Sequence, residues 1–236
     1  MRGTRAPVTV AFKILAHRGV PRGVPTALGR MPSLATIAAS GFASSIALAV
    51  ATRHPRVQSV DDALEVRAGR ARALQHVLRA AHIGTLPGEP YMHPTIGAAS
   101  AALILVTRRA PLLPVLAALA AASIGAILAH HAVKLVYRRP RPAIALARGK
   151  TEPAYPSGHT TDATAVLATS AYLLMQQGIA PAIVVVPIAA ALALVTGVSR
   201  VLLGWHWPTD VLGGWFTGIA VAACAAGLYE TLLRVS

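Results

Sequence analysis

Three short polar stretches interrupt an otherwise apolar chain. The first, "KLVYRRPRP" (residues 134–142), separates Lys134 from Arg141 by six residues. Its prolines make the end of the segment extended and stiff. A cation on a last helical turn and another on a rigid strap can point into one pocket, although basic clusters beside membrane spans also serve as snorkelling anchors. The second, "YPSGHTTDA" (residues 155–163), carries Ser157 and Thr160, both good helix N-caps. A helix starting just after Gly158 would aim free N–H groups at an anion, with a Ser157 hydroxyl beside them and no Gly158 side chain to block close approach. A turn and a cap account for Pro156, Ser157 and Gly158 but not for His159. The third, "SRVLLGWHWPTD" (residues 199–210), places Asp210 four residues after His206 and adds Arg200. A carboxylate one helical turn on can accept the N–H of one imidazole nitrogen and leave the other unprotonated, which makes a base or nucleophile.

The elements that must position these groups are membrane helices. The 236-residue chain is 55% hydrophobic and only 13% charged, against about 25% charged for a soluble domain. Six apolar runs reach or approach the roughly 20 residues that cross a bilayer, near 33–52, 92–107, 111–133, 160–177, 180–199 and 209–230. The second is short, with Pro90 and Pro94 at its start. The fold expected is all-α, a six-span transmembrane bundle, with short links such as "RRAP" (residues 108–111) and "QQGIAP" (residues 176–181) forcing antiparallel neighbours. Residues 1–30 read as a basic cytoplasmic arm and 31–236 as one membrane domain. Between spans one and two, Leu64, Ala68, Ala71, Leu74, Leu78 and Ala81 recur at helical spacing while Arg67, Arg70, Arg72 and Arg79 take other faces. This predicts an amphipathic surface helix over 56–82, covering one end of the bundle.

With six alternating spans, all three polar stretches share one membrane face. A raw Lys/Arg count favours that face as the cytoplasmic one. Lys134, Arg141 and Arg200 are discounted as site residues. The basic arm and the Arg108–Arg109 link then put the termini in the cytoplasm and the site outside. The net charge of +14 does not indicate nucleic acid, since the cations lie between spans without a basic stripe of interleaved aromatics. Cys224, the single cysteine, excludes an intrachain disulfide. Two histidines and one carboxylate are a thin metal-ligand set, and three cations would repel a divalent ion. The cations match instead a phosphoryl group, whose oxygens carry the transition-state charge.

In order and spacing, the three stretches resemble the signature of the type 2 phosphatidic acid phosphatase superfamily. The resemblance implies hydrolysis of lipid phosphate esters or diphosphates without metal or other cofactor, through a phosphohistidine. It makes His206 the nucleophile, Asp210 its orienter and His159 the group that protonates the leaving oxygen and then activates water. Lys134, Arg141, Ser157, Gly158 and Arg200 would hold the phosphate. Candidate substrates are polyprenyl diphosphates, phosphatidic acid and phosphatidylglycerol phosphate. Vanadate-dependent haloperoxidases have a similar site but are soluble. A degenerate lipid-binding or transport protein would be missing part of the signature, and here every position is filled. Outside the signature, His130 and His131 suit a cleft wall or a helix–helix contact, and Asp162 complements a helix N-terminus. Trp205, Trp207 and Tyr155 read as headgroup anchors, and Arg138 and Arg139 as contacts to a second phosphate or to lipid.

Overall fold

The computed structural model describes residues 27–107 and 111–235, and among these residues the regular structure is entirely helical. The basic arm lies outside the described residues except for 27–30, which open the first helix, and the Arg108–Arg109 link lies outside them too. The helices are α1 (Ala27–Ala51), α2 (Pro55–Arg72), α3 (Gln75–Gly84), α4 (Met92–Thr107), α5 (Leu112–Val136), the short α6 (Ala143–Ala147), α7 (Gly158–Gln176), α8 (Ala182–Leu202) and α9 (Pro208–Val235), with a 3₁₀ turn at Leu86–Gly88. Several run past the apolar stretches that announce them: α5 continues through Lys134 to Val136 and α9 through Glu230 to Val235. A hydropathy run stops at a charge, but backbone hydrogen bonding does not.

Among the described residues, four helices are long and apolar enough to cross a membrane: α1 from Arg30 on, α5, α8 and α9. Two of the six expected spans fall short by this measure. Helix α4 has 16 residues, about 24 Å at 1.5 Å per residue. Helix α7 has 19 but is rich in Thr and carries Asp162. Its neighbours screen these polar groups, with thirteen of its residues buried. Helix α9 is the hub, packing on α1, α5, α7 and α8, while α7 also touches α4, α5 and α8.

Close approach of α7 and α9 rests on small residues. A Cβ at Gly214 would lie 2.9 Å from Thr160 Cβ, and one at Gly218 would lie 2.6 Å from Thr164 Cβ and 2.7 Å from the Thr161 carbonyl oxygen. A small residue every fourth position lets two backbones meet where lipid supplies no hydrophobic drive for association. At the end remote from the polar stretches, Leu173 of α7 and Tyr229 of α9 join Ala101, Ile104, Val115, Ala118 and Leu119 in a buried cluster. There the buried Glu230 accepts from Arg30 Nε at 3.1 Å and Tyr172 Oη at 2.6 Å. The start of α1 is thereby fixed beside the end of α9, so both lie at the same end of the bundle.

The helix expected over 56–82 is two helices. The chain turns extended at Leu74 (φ −83°, ψ 115°). The side chain of Arg72, held by Glu65 at 2.9 Å, donates to the Leu202 and Val201 carbonyls that end α8. Both α2 and α3 pack on α8, so the segment covers the end of the bundle instead of lying apart from it. A Cβ at Gly84 would come 2.7 Å from Val195 Cγ1.

Candidate active site

The three polar stretches converge at the other end of the bundle. Helix α8 ends at Leu202, and Gly204, with φ +73°, makes a left-handed turn that an L side chain rarely adopts. The chain then reaches His206 before Pro208 opens α9. The turn is closed by Trp205 N–H donating to the Arg200 carbonyl at 3.0 Å. Asp210 Oδ2 accepts the Trp207 N–H at 2.9 Å, capping the helix from within. Ser157 N–H donates to the Asp210 carbonyl at 3.0 Å, which joins the start of α7 to this turn.

His206 is 2% exposed and Asp210 fully buried. His206 Nδ1 faces Asp210 Oδ2 at 3.5 Å and the ring approaches the Ala154 carbonyl, but no hydrogen bond is completed at Nδ1. Nε2 lies 3.2 Å from Arg141 Nη1. An arginine only donates, so this contact requires a bare Nε2 and puts the proton of the neutral ring on Nδ1, toward Asp210. Burial, then the charges of Arg141, Arg200 and Lys134, hold the imidazole well below its ordinary pKa. The result is a neutral ring whose Nε2 lone pair is turned toward Arg141.

Backbone carbonyls fix one of the three cations. Arg141 donates through Nε to the Glu152 carbonyl and through Nη1 to the Trp205 carbonyl, both at 2.8 Å. Burial lowers its pKa, with Glu152 and Asp210 opposing the shift. Arg200 donates to Thr85 Oγ1 at 3.0 Å, and its buried Nε has no hydrogen-bond partner. Lys134 is half-buried on the last turn of α5. Ser157 is the N-cap residue of α7, but its hydroxyl makes no capping bond. It accepts from Thr160 Oγ1 at 2.9 Å and keeps its own proton to donate. Gly158 follows as the first helical residue, with the His130 ring against the place a Cβ would fill (3.3 Å from Cε1). No side-chain hydrogen bond joins His159 to the other expected site residues. Its Nε2 is 3.2 Å from Glu89 Oε1.

Several expectations change. Tyr155 is no headgroup anchor. It is fully buried, donates to the Ser45 carbonyl at 2.5 Å, and has its pKa pushed up to about 12 by burial. Arg139 is buried away from lipid, with Nη2 on Asp61 Oδ2 at 2.6 Å and Nη1 on both Asp210 Oδ1 at 2.7 Å and Thr209 Oγ1 at 2.6 Å. Burial works against its charge, but Asp210 and Asp61 outweigh it and raise the pKa. His130 takes the helix–helix alternative, its Nε2 being 3.5 Å from Asp162 Oδ1. Trp205 and Trp207 sit half-buried over arginines, Arg148 at 5.1 Å and Arg139 at 5.7 Å from the ring centroids.

Sequence reading missed Asp61, Thr209, Thr85 and Glu89, and it gave Arg139 another role. One signal was available: the chain has only 8 acidic residues against 22 Lys and Arg, so each carboxylate is scarce. Of these, Asp61, Glu89 and Asp210 all reach this end of the bundle.

A multi-pass membrane protein with two histidines, a buried carboxylate and three cations at one end of its bundle defines a class, and comparison with known proteins gives that class its family. Residues 111–234 match the PAP2 superfamily, and the chain belongs to it. A solved structure described as the first transmembrane PAP2 type phosphatidylglycerolphosphate phosphatase from Bacillus subtilis superposes with a TM-score of 0.71 at 26% identity, covering 84% of this chain and 98% of that one. Phosphatidylglycerophosphatase B of Bacillus subtilis (strain 168) is 36% identical over 85 residues, 34% of this chain and 41% of the relative. Undecaprenyl-diphosphatase BcrC of the same organism is 32% identical over 103 residues, 42% of this chain and 49% of the relative. The chain thus spans less than half the length of the curated relatives it matches.

Proposed function

We propose that this protein is a lipid phosphate phosphatase of the cell membrane that works through a phosphohistidine on His206. The observation that carries the reading is His206 itself: a buried, neutral imidazole whose Nε2 lies 3.2 Å from Arg141, with Asp210 behind Nδ1. Nε2 attacks phosphorus as the bond to the leaving oxygen breaks, and His159 gives that oxygen its proton. His159 then takes a proton from the water that cleaves the P–N bond and releases phosphate. Lys134, Arg141, Arg200, Ser157 and the Gly158 N–H hold the phosphoryl oxygens, with no divalent metal required. The substrate is a lipid phosphate or diphosphate, in line with the names of the two relatives. Six crossings are inferred, with α4 the short one and α7 the polar one. Termini in the cytoplasm then put the site on the extracytoplasmic face.

The test is phosphate release from phosphatidic acid, phosphatidylglycerol phosphate and polyprenyl diphosphate by purified protein in detergent, with and without EDTA. Activity in EDTA and inhibition by vanadate, a mimic of the trigonal bipyramidal transition state, are expected. With an activated aryl phosphate, His159→Ala should accumulate acid-labile, base-stable phosphate. The double variant with His206→Ala should hold none. Label persisting in the double variant would remove His206 as nucleophile, and activity lost in EDTA and restored only by added metal would refute the metal-free chemistry.

A further inference from the structure

The 3₁₀ turn Leu86–Gly88 and Glu89 lie against the first turn of α7. A Cβ at Gly88 would sit 2.7 Å from both His159 Cβ and the His159 carbonyl oxygen, so glycine is what lets this segment close on the histidine. Glu89 Oε1 then reaches His159 Nε2 at 3.2 Å. This pair is the open side of the site: the His159 and Glu89 side chains are 26% and 30% exposed, against 3% and 0% for those of His206 and Asp210. The same connector supplies Thr85, which anchors Arg200. Arg141 contacts the buried histidine, and the charges of Arg200 and Lys134 act on both histidines. A carboxylate stands at the rim, beside the histidine that faces the departing group.

We propose, resting on the phosphatase reading above, that Glu89 is a specificity-determining residue that fits the site to phosphomonoesters of lipid alcohols and against lipid diphosphates. Two effects act in the same direction. An alcohol leaves as a strongly basic oxygen and needs a proton. Burial and the Arg200 charge disfavour the protonated His159 ring, and the Glu89 carboxylate, 3.2 Å from Nε2, opposes them and supports the form that supplies the proton. A diphosphate leaves as a phosphate, which needs little protonation and brings its own negative charge against Glu89. The hydroxyls of a glycerol or sugar leaving group can instead donate to the Glu89 oxygens. As the P–O bond breaks, the proton passes from His159 to the leaving oxygen. In the second step His159 regains one from water beside the same carboxylate.

The experiment compares phosphatidic acid with diacylglycerol pyrophosphate, which share their tails, and with p-nitrophenyl phosphate, whose leaving group needs no proton. All are assayed with the full chain in detergent. Wild type should show the higher kcat/KM on phosphatidic acid. Glu89→Gln should lose at least tenfold in kcat on phosphatidic acid and least on the other two, so that the monoester-to-diphosphate ratio falls tenfold or more. Glu89→Asp, which keeps the charge, should recover part of the ratio. A wild type that prefers the diphosphate overturns the proposal even if the variants fail to fold, and so does a Glu89→Gln protein that loses equally on all three. Release from none of the three by wild type would instead refute the phosphatase reading on which the proposal rests.

Discussion

Replacing Asp61 by Asn should damage the site from a helix that precedes the matched family region. Asp61 Oδ2 accepts from Arg139 Nη2 at 2.6 Å and Thr209 Oγ1 at 2.5 Å, and Oδ1 accepts from the Thr209 N–H at 3.1 Å. Arg139 in turn holds Asp210, which stands behind His206. An Asn of the same shape offers one oxygen, so either Arg139 and the Thr209 hydroxyl or the Thr209 N–H must meet an amide donor. Hydrogen bonds to charged groups contribute about 1.5–3 kcal/mol against about 1 for neutral ones, and an unsatisfied buried donor costs about 1–3. The loss is therefore about 2–4 kcal/mol, below the 3–5 typical of breaking a buried pair because Arg139 keeps Asp210. In detergent the melting temperature should fall by roughly 5–10 °C. Misplacement of Asp210 and His206 should lower kcat at least tenfold while KM changes little, since positioning matters most in the transition state. Asp62→Asn, on the same helix but solvent-facing, should change neither. A D61N protein with wild-type melting and wild-type kcat would show that Asp210 and Thr209 alone hold Arg139, and the relay from α2 would be refuted.

Two further outcomes follow from packing and charge. Gly218→Val should destabilise or prevent folding, because its Cβ would meet Thr164 Cβ at 2.6 Å and the Thr161 carbonyl at 2.7 Å. Overpacking costs about 1–3 kcal/mol, and Gly227→Ala, with nothing within 4 Å, is the control whose equal loss would discredit the packing account. The acid limb of kcat/KM should lie below pH 6.5, since burial and the cations lower the His206 pKa and its protonation, which abolishes attack, sets in only beneath its ordinary value. A pH–rate profile with half of the activity already gone at 6.5 would contradict a neutral, cation-surrounded nucleophile.

The sequence by itself determined the helical class and the membrane environment, and it named candidate site residues. Apolar runs of near-bilayer length leave helices as the economical way to satisfy the backbone. Lys134, Arg141, Ser157, Gly158, His159, Arg200, His206 and Asp210 could be named as candidates because each lies within a few residues of a turn or helix end whose geometry local spacing specifies. The tertiary structure decided what lies between those segments. Asp61 and Glu89 sit on a connector that reads as polar cover, and only the folding of α2 and α3 onto α8 carries them to Arg139 and His159. Tyr155 and Arg139 look like residues of the membrane surface until Ser45 of α1 and Asp61 of α2 appear as partners. Spacing reports what one helical turn brings together. A hydrogen bond across 78 or 110 residues depends on how helices pack, and that is set by small side chains such as Gly214 and Gly218, whose partners no local pattern reveals.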